Sequence, residues 1–334
     1  GPSAELPATL GISTPSSNNS DLRTKGWEVS IGWKDRLKNG LGYGINLSLS
    51  DQITMIDSYP DNKTLSIDSY LPGYKDGLIW GYETIGIAKS DEEMQAHLAS
   101  LPKGGQDAVG SQWAAGDIMY KDLNGDGKIS EGARTLGDHG DLKILGDTYS
   151  HYFFGIDLNA DWKGFDFRAF FQGVLKHDYW GSGNFTGMLF GVRGGYSRWH
   201  TRGFKQHEDY FRAEPAGLEG HELPANLDSY YPRPIFSDSS DGTSFGAKNQ
   251  KVQSRYVQDA SYIRLKNLQF GYTLPAKFTN KFGINRLRIF VSGENVWTGT
   301  GLTKLFDPET ISGGNGGNAY PLSRTWSFGL SLTL

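Results

Sequence analysis

Oxygen-bearing side chains recur at every second position of residues 122–128, which read Asp-Leu-Asn-Gly-Asp-Gly-Lys. Asp122, Asn124 and Asp126 supply the first, third and fifth positions, a glycine follows, and Lys128 contributes its backbone carbonyl. In EF-hand-type loops, alternating oxygens of this kind converge on one hard cation. The spacing therefore predicts a site for Ca²⁺ or Mg²⁺ that orders a loop and performs no catalysis.

The carboxylate that closes an EF-hand loop at its twelfth position is missing, because Ala133 stands there. Glu131, Asp138 or Asp141 could supply it in a longer loop. A polar surface turn without a metal is the alternative interpretation. The sequence contains no HExxH motif, and an enzyme is not predicted.

The composition limits the class of protein that positions this loop. The 334 residues contain no apolar run near the ~18 residues of a membrane-spanning helix, which excludes a helical membrane protein. Zero cysteines exclude a disulfide scaffold. A net charge of -4 without a basic run argues against a nucleic-acid partner. The 13% aromatic content suits the interfacial girdles of a membrane β-barrel, whose strands alternate lipid-facing and lumen-facing residues.

Apolar and polar residues alternate with a period of two along seven segments, which is the pattern of β-strands with two unlike faces. Trp27, Val29 and Ile31, for example, alternate with Glu28 and Ser30. The predicted strands cover residues 27–34, 41–49, 152–162, 165–171, 262–274, 287–296 and 326–334. Their lengths are close to the ~9–11 residues that a tilted membrane strand needs. The pattern predicts an all-β chain with an antiparallel sheet.

The connections between the predicted strands alternate between short and long. The short connections are residues 35–40, 163–164 and 275–284, and the long ones are residues 51–150, 174–259 and 299–320. Outer-membrane barrels have short periplasmic turns and long extracellular loops in this order. We therefore predict a transmembrane β-barrel with a periplasmic C-terminus and with long extracellular loops at 51–150 and 174–259.

Seven strands do not close a membrane barrel, because about eight is the minimum and bacterial barrels have even counts. Open edges in lipid would leave backbone groups unpaired, at a cost of several kcal/mol each. The remaining strands are therefore expected from sequence outside these residues, and the lack of a signal peptide points the same way. The alternative is a soluble, calcium-ordered β-sandwich that acts as a surface adhesin or glycan-binding module. Solubility in plain buffer would distinguish it.

The long loops contain local signals of their own. Ser90 and Glu93 have the spacing of a helix capping box, and Met94 and Leu98 follow one turn apart, so a short helix is predicted here. The second loop is rich in aromatic residues, which could stack on sugar rings or apolar peptide side chains, or form the loop's own core. These residues are Tyr196, Trp199, Tyr210, Phe211, Tyr230, Tyr231 and Phe236. No residue is assigned to substrate binding.

Several sequence blocks, in order along the whole chain, carry a family resemblance. They are LPATLG at residues 6–11, GDI at 116–118, DASYIRLKNL at 259–268, GYTLP at 271–275, GENVWT at 293–298, DPE at 307–309 and YPLSRT at 320–325. Together these blocks resemble the SusC/RagA family of TonB-dependent outer-membrane transporters. In that family a carboxylate follows the metal loop, and Asp141 stands in its place here. The resemblance therefore makes Asp141 a further candidate metal ligand.

The resemblance also implies a fold and a function. The fold would be a barrel of about 22 strands with a plugged lumen, of which this chain would supply the C-terminal seven strands. The function would be TonB-dependent import of oligosaccharides, glycans or peptides across the outer membrane. The implied partners are a SusD-like surface lipoprotein that closes the barrel as a lid, outer-membrane lipid, and TonB, which would engage sequence outside these residues.

Overall fold

The computed structural model of the chain describes residues 19–181, 185–191, 203–235, 245–312 and 319–334. In chain order its strands are β1 (Asp21–Arg36), β2 (Gly42–Ser58), β3 (Leu78–Tyr82), β4 (Thr84–Ile87), β5 (Ile118–Tyr120), β6 (Leu142–Asp147), β7 (His151–Trp162), β8 (Phe165–Lys176), β9 (Asp178–Tyr179), β10 (Gln258–Asp259), β11 (Tyr262–Thr273), β12 (Arg286–Thr300) and β13 (Thr325–Thr333). The α-helices are α1 (Asp91–Ala99), α2 (Phe185–Phe190) and α3 (Ala276–Thr279), and 3-10 helices cover Lys205–Glu208, Phe245–Gln250 and Asn280–Phe282. Across these ranges, no helix has the length and apolar character needed to span a membrane.

Seven of the strands form one sheet in the order β1-β2-β7-β8-β11-β12-β13. Each neighbouring pair with a defined register runs antiparallel. These strands coincide with the seven segments that alternate in the sequence, so the prediction of an antiparallel all-β architecture is confirmed. The seven strands form an open sheet, and closure into a barrel of about 22 strands stays a prediction.

The register gives this sheet two chemically different faces. One face carries an apolar row across β2, β7, β8, β11, β12 and β13, made of Tyr43, Ala160, Phe167, Phe270, Val291 and Phe328. Phe328 is 87% exposed and Leu330, on the same face, is 63% exposed. The adjacent row on the opposite face is polar, with Asn159, Arg168, Gln269, Ser292 and Ser327. A continuous exposed apolar face of this size marks contact with lipid or another protein.

The tight turn between β7 and β8 explains why this register is fixed. Lys163 and Gly164 both have positive φ angles, of 48° and 89°. Two consecutive residues with positive φ form the hairpin turn whose twist matches that of the flanking strands. The turn therefore aligns Trp162 opposite Phe165 and continues the alternation into β8.

The chain divides into two compact units. One unit contains Thr54–Thr148 and Tyr179–Val257 together with the chain up to Thr24, and the other contains Lys25–Ile53, Tyr149–Asp178 and Gln258–Leu334. We call the first the loop unit, because it corresponds to the two predicted long loops, and the second the sheet unit. Fully buried side chains of the loop unit include Met94, Ile118, Tyr120, Ile129, Phe185 and Tyr256. The long loops are therefore folded segments that share a core.

Helix α1 in the loop unit begins where the capping signal predicts. The hydroxyl of Ser90 accepts a hydrogen bond from the Glu93 N–H at 3.2 Å. The Glu93 carboxylate accepts one from the Lys89 N–H at 2.6 Å. Met94 is fully buried, so the helix contributes one apolar anchor to the core of the loop unit.

Candidate functional site

A buried carboxylate connects the two long segments of the loop unit, which are Thr54–Thr148 (the first segment) and Tyr179–Val257 (the second segment). Asp117 lies just before β5, and its side chain is fully buried. Arg233, from the second segment, donates to both carboxylate oxygens at 2.8 Å. Lys248 Nζ lies 2.8 Å from Oδ2, and Asn249 donates to Oδ1 at 2.9 Å. Arg233 and Asn249 lie 116 and 132 residues away from Asp117 in the sequence. Asp117 therefore connects parts of the chain that would otherwise be separate loops.

Lys248 is a buried cation with an acceptor for each of its N–H groups. Besides Asp117, its Nζ donates to the carbonyls of Ser111 and Gln112 at 2.8 and 2.7 Å. Nζ also lies 4.6 Å from the centre of the Trp113 ring, which adds a cation–π attraction. Gln112 has a left-handed φ of 56°, a conformation that costs ~1–3 kcal/mol for a residue with a side chain. The contacts that its carbonyl makes offset this strain.

The electrostatic environment keeps the Asp117 carboxylate charged. Burial would raise the pKa of Asp117, but hydrogen bonds from Arg233, Lys248 and Asn249 outweigh it and hold the pKa below its usual 3.8. Burial lowers the pKa of Lys248, while its contact with Asp117 acts in the opposite direction. One carboxylate thus faces two cations. Removal of one partner from such a buried pair leaves an uncompensated charge, which is strongly destabilising.

Neutral polar side chains extend the network toward β4 and β5. The Asn249 amide oxygen accepts from the Ile118 N–H at 3.0 Å. Gln253 donates to the carbonyl of Asn249 at 2.8 Å and to the hydroxyl of Tyr120 at 3.3 Å, and its own oxygen accepts from Thr84 at 2.8 Å. Because all five residues lie in the loop unit and bridge its two segments, the segments form one body.

Strand β3 approaches the backbone of the second segment directly. The Tyr82 N–H donates to the Val252 carbonyl at 2.9 Å, and the Tyr82 carbonyl accepts from the Ser254 N–H at 2.9 Å. Gly81 makes the approach possible, since a Cβ there would lie 2.5 Å from the Val252 oxygen. The close contact therefore depends on glycine at this position.

Most described aromatic residues of the second segment belong to its core. Phe211 and Tyr231 are buried. The Tyr230 ring lies 4.8 Å from that of Tyr231 and 5.3 Å from that of Tyr256, and the Tyr256 hydroxyl donates to the Tyr230 carbonyl at 2.7 Å. These contacts favour the core interpretation over substrate stacking. Tyr196, Trp199 and Phe236, like the block at residues 6–11, lie outside the described residues.

The predicted metal loop is a tight turn whose side chains accept hydrogen bonds from its own backbone. Asp122 accepts from the Gly127 N–H at 2.9 Å. Asn124 accepts from the Asp126 N–H at 2.9 Å, and Asp126 from the Lys128 N–H at 3.1 Å. These bonds stabilise the bend on which a chelating loop depends.

Asp141 lies against this turn. Its carboxylate accepts from the N–H groups of Leu123 and Ser130 at 2.8 and 2.7 Å, and the residue is fully buried. Burial raises the pKa of Asp141, the backbone hydrogen bonds act against it, and the nearby Asp122 carboxylate raises it further. The oxygen donors of the loop suit Ca²⁺ or Mg²⁺. Over the described ranges, however, no three His, Cys, Asp or Glu side chains are grouped to hold a metal ion, so the site stays a prediction.

The polar face of the sheet unit carries Arg–Asp pairs. Arg168 on β8 contacts Asp157 on β7 at 2.6 Å. Arg288 on β12 contacts Asp166 on β8 at 2.5 Å and bridges the intervening β11 at Gly271, where a Cβ would lie 2.5 Å from Nη2 of the arginine. Ion pairs therefore connect both adjacent and non-adjacent strands. A charged face of this kind suits the hydrated interior of a membrane barrel.

Charged residues from two of the family-like blocks meet on the sheet unit. Arg264, from residues 259–268, lies 2.6 Å from Asp307 and 2.9 Å from Glu309. Lys266 contacts Glu309 at 2.9 Å. The Arg264 side chain is 3% exposed, so this cluster is largely desolvated.

Sequence reasoning assigned no role to Asp117, Arg233 or Lys248. Asp117 falls in the family-like block at 116–118, which was the available signal. Arg233 and Lys248 lie outside the alternating segments and the family-like blocks. Their contacts depend on how two distant segments fold together, which residue spacing does not encode.

The fold combines an antiparallel sheet that has one lipid-compatible face with a charged opposite face and a folded loop unit, features of an outer-membrane transporter wall. Comparison with curated proteins finds relatives of this class in Formosa agariphila. TonB-dependent receptor P3 is 27% identical over 351 residues, which cover 98% of this chain and 30% of that protein. TonB-dependent receptor P26 is 25% identical, with 98% of this chain and 31% of that protein covered. The chain thus spans about 30% of the length of these relatives, and no family model matches it.

Solved structures show the same fold. The RagAB peptide transporter aligns with a TM-score of 0.60 at 17% identity, covering 98% of this chain and 31% of that one. The RagAB peptide importer in its open-open state aligns with a TM-score of 0.61 and covers 99% of this chain. The resemblance drawn from the sequence blocks is confirmed: the chain is similar to TonB-dependent receptors over 98% of its length, and it shares its fold with RagAB.

Proposed function

We propose that the chain forms the C-terminal part of the barrel wall of an outer-membrane, TonB-dependent importer of large nutrients. The observation that carries the proposal is the register of the sheet, which sets the apolar row from Tyr43 to Phe328 against the polar row from Asn159 to Ser327. The apolar row suits lipid, and the polar row suits a hydrated lumen. Further strands would complete the wall, since unpaired backbone groups in lipid cost several kcal/mol each.

The loop unit lies, in this proposal, at the extracellular mouth, and the C-terminus lies in the periplasm. The alternation of short turns with long loops supports this orientation. A SusD-like lipoprotein closes over the mouth, and TonB engages sequence outside this chain. The RagAB neighbours are peptide importers, which supports peptides as one substrate class, with oligosaccharides as the other.

Fractionation and uptake by the native organism test the proposal. We expect the native receptor in the outer membrane, with a mass about three times the 36.9 kDa of this chain, because the chain spans about 30% of its relatives. Deletion of the receptor gene should abolish energy-dependent uptake of either labelled peptides or labelled oligosaccharides. A native protein that is soluble without detergent would instead support the β-sandwich adhesin.

We further propose that residues 122–128 and Asp141 bind Ca²⁺ or Mg²⁺ and thereby order the loop unit. Support comes from the oxygen-only donors and from the two carboxylates, Asp122 and Asp141, close enough for one to raise the pKa of the other. A divalent cation would compensate this repulsion. The role is structural, with Asp122, Asn124, Asp126, the Lys128 carbonyl and Asp141 as ligands.

A further inference from the structure

Residues 301–312, which we call the strap, follow directly after β12. Leu302, Phe306 and Ile311 of the strap are buried, with 5%, 8% and 1% of their surface exposed. The hydroxyl of Thr300 accepts a hydrogen bond from the Leu302 N–H at 3.1 Å and so fixes the turn that leads into the strap. The strap is therefore packed onto the sheet unit along its length.

Arg264 identifies the face of the sheet that the strap covers. A bulge between Leu265 and Asn267 shifts the alternation of β11 by one residue. Leu265 consequently pairs with Phe171 of β8, which lies on the same apolar face as Phe167. Successive side chains of a strand point to opposite faces, so Arg264 points to the polar face. Its guanidinium contacts Asp307 and Glu309 of the strap at 2.6 and 2.9 Å. The strap consequently lies across the polar face.

Four charges hold the strap in this position, and we call them the latch: Arg264, Lys266, Asp307 and Glu309. Lys266 donates to both carboxylate oxygens of Glu309 at 2.9 and 3.1 Å. Arg264 Nε donates to the Thr298 hydroxyl at 2.9 Å, and the Glu309 N–H donates to Asp307 at 3.0 Å. Two cations face two carboxylates, so the latch is neutral as a whole. Loss of the acids would leave Arg264 buried without a counter-charge, which is strongly unfavourable.

We propose that the strap is a size-limiting element of the import path, fixed across the polar face by the latch. This inference rests on the proposed function, in which the polar face lines the lumen. The buried apolar anchors and the mutually compensated charges favour one position of the strap. Cargo would therefore pass beside the strap without displacing it, and the strap would set an upper limit to cargo size on this side of the lumen.

Proteolysis of the intact native receptor in outer membranes tests the latch. The double variant Asp307→Asn with Glu309→Gln removes both acids with little change in shape. Asp166→Asn is the matched control, because it breaks the pair with Arg288 on the same face. Lys304 is exposed within the strap, so trypsin cleavage after it, followed by mass spectrometry, reports release of the strap. We expect cleavage to be at least about tenfold faster in the double variant and unchanged in the control.

Energy-dependent uptake of labelled peptides or oligosaccharides of graded length tests the size limit. The double variant should take up longer cargo than the wild-type receptor, and the control should not. Equal cleavage rates would overturn the latch, and faster cleavage with an unchanged length limit would overturn the size-limiting role. A native receptor that takes up no nutrient would contradict the proposed function, while the cleavage ratio would still decide the latch. If the double variant fails to reach the outer membrane, Glu309→Gln alone, which keeps the contact between Arg264 and Asp307, replaces it with a smaller expected increase.

Discussion

The ammonium group of Lys248 lies 2.8 Å from the carboxylate of Asp117, and both side chains are fully buried. The two residues belong to different long segments of the loop unit, Tyr179–Val257 and Thr54–Thr148. This buried ion pair, which we call the joint, therefore connects the two segments. Because both charges are desolvated, loss of either partner should strongly destabilise the contact.

Asp117→Asn should open this joint. The variant leaves Lys248 buried without a carboxylate, which we expect to reduce the local free energy of opening by ~3–5 kcal/mol. Hydrogen exchange of the native receptor in detergent measures this at the amide of Ile118, which bonds to Asn249. Glu83→Gln, which removes the more exposed pairs with Lys121 and Lys143, is the control and should cost at most ~1 kcal/mol. Equal exchange in both variants would contradict the joint.

Acid should release the joint only at low pH. Against the effect of burial, hydrogen bonds from Arg233 and Lys248 hold the pKa of Asp117 below its usual 3.8. The unfolded chain binds this proton more tightly, so the stabilisation by Asp117 is complete above pH 3.8 and is lost as the pH falls through the lower folded pKa. The difference in hydrogen exchange at the Ile118 amide between the wild-type receptor and Asp117→Asn isolates this contribution, and it should be constant between about pH 7 and pH 4. A difference that shrinks well above pH 4 would assign control of the contact to another group.

Gly81→Ala should separate β3 from the second segment. The added methyl group would lie 2.5 Å from the Val252 carbonyl oxygen, and backbone cannot move aside as a flexible side chain can. We expect a loss of ~1–3 kcal/mol, the usual range for overpacking, and faster exchange of the Tyr82 amide. Gly86→Ala, in β4, is the matched control, because its nearest neighbour would be a Met119 methyl group at 4.0 Å. If both variants exchange alike, the approach at Gly81 is not required.

The sheet could be predicted because each of its strands carries the information for its own faces. Gln269 and Phe270, for example, are adjacent residues on opposite faces, and they pair with Arg168 and Phe167 on β8 and with Ser292 and Val291 on β12. The two-residue turn at Lys163 then fixes the register of β7 with β8. Helix α1 was predictable for a similar reason, since Ser90 and Glu93 are only three positions apart.

The interior of the loop unit could not be predicted in the same way. Strands β4 and β5 have four and three residues, too few to show an alternation. The joint at Asp117 depends on partners more than a hundred residues away. The family-like blocks contain both Arg264 and Asp307, but their spacing does not indicate that these two residues touch. Contacts between distant segments follow from tertiary packing, which local patterns leave open.

Removal of divalent cations should loosen the loop unit without unfolding the sheet. If residues 122–128 and Asp141 hold Ca²⁺, chelation should expose the adjacent Lys128 and Arg134 to trypsin while heat-modifiable migration of the receptor is unchanged. Asp126→Asn should weaken Ca²⁺ binding by about tenfold or more, since charge count sets the affinity of such loops. Asp107→Asn, an exposed acid of the same segment, is the control. Calorimetric titration measures the Ca²⁺ affinity of both variants. Protease sensitivity that does not change on chelation would contradict metal binding at this loop.

Adjacent residues of β12 offer the sharpest test of the membrane assignment. Val291 pairs with Phe270 and Phe328 on the apolar face, whereas Ser292 pairs with Gln269 and Ser327 on the polar face. Val291→Arg should therefore cost ~2–4 kcal/mol if it lies near the bilayer midplane, with less folded receptor in the outer membrane. Ser292→Arg adds the same charge one residue away and should be tolerated, because a lumen-facing arginine remains hydrated. Reversed or equal effects would show that the apolar face meets protein and not lipid, and the soluble β-sandwich would then explain the alternation better.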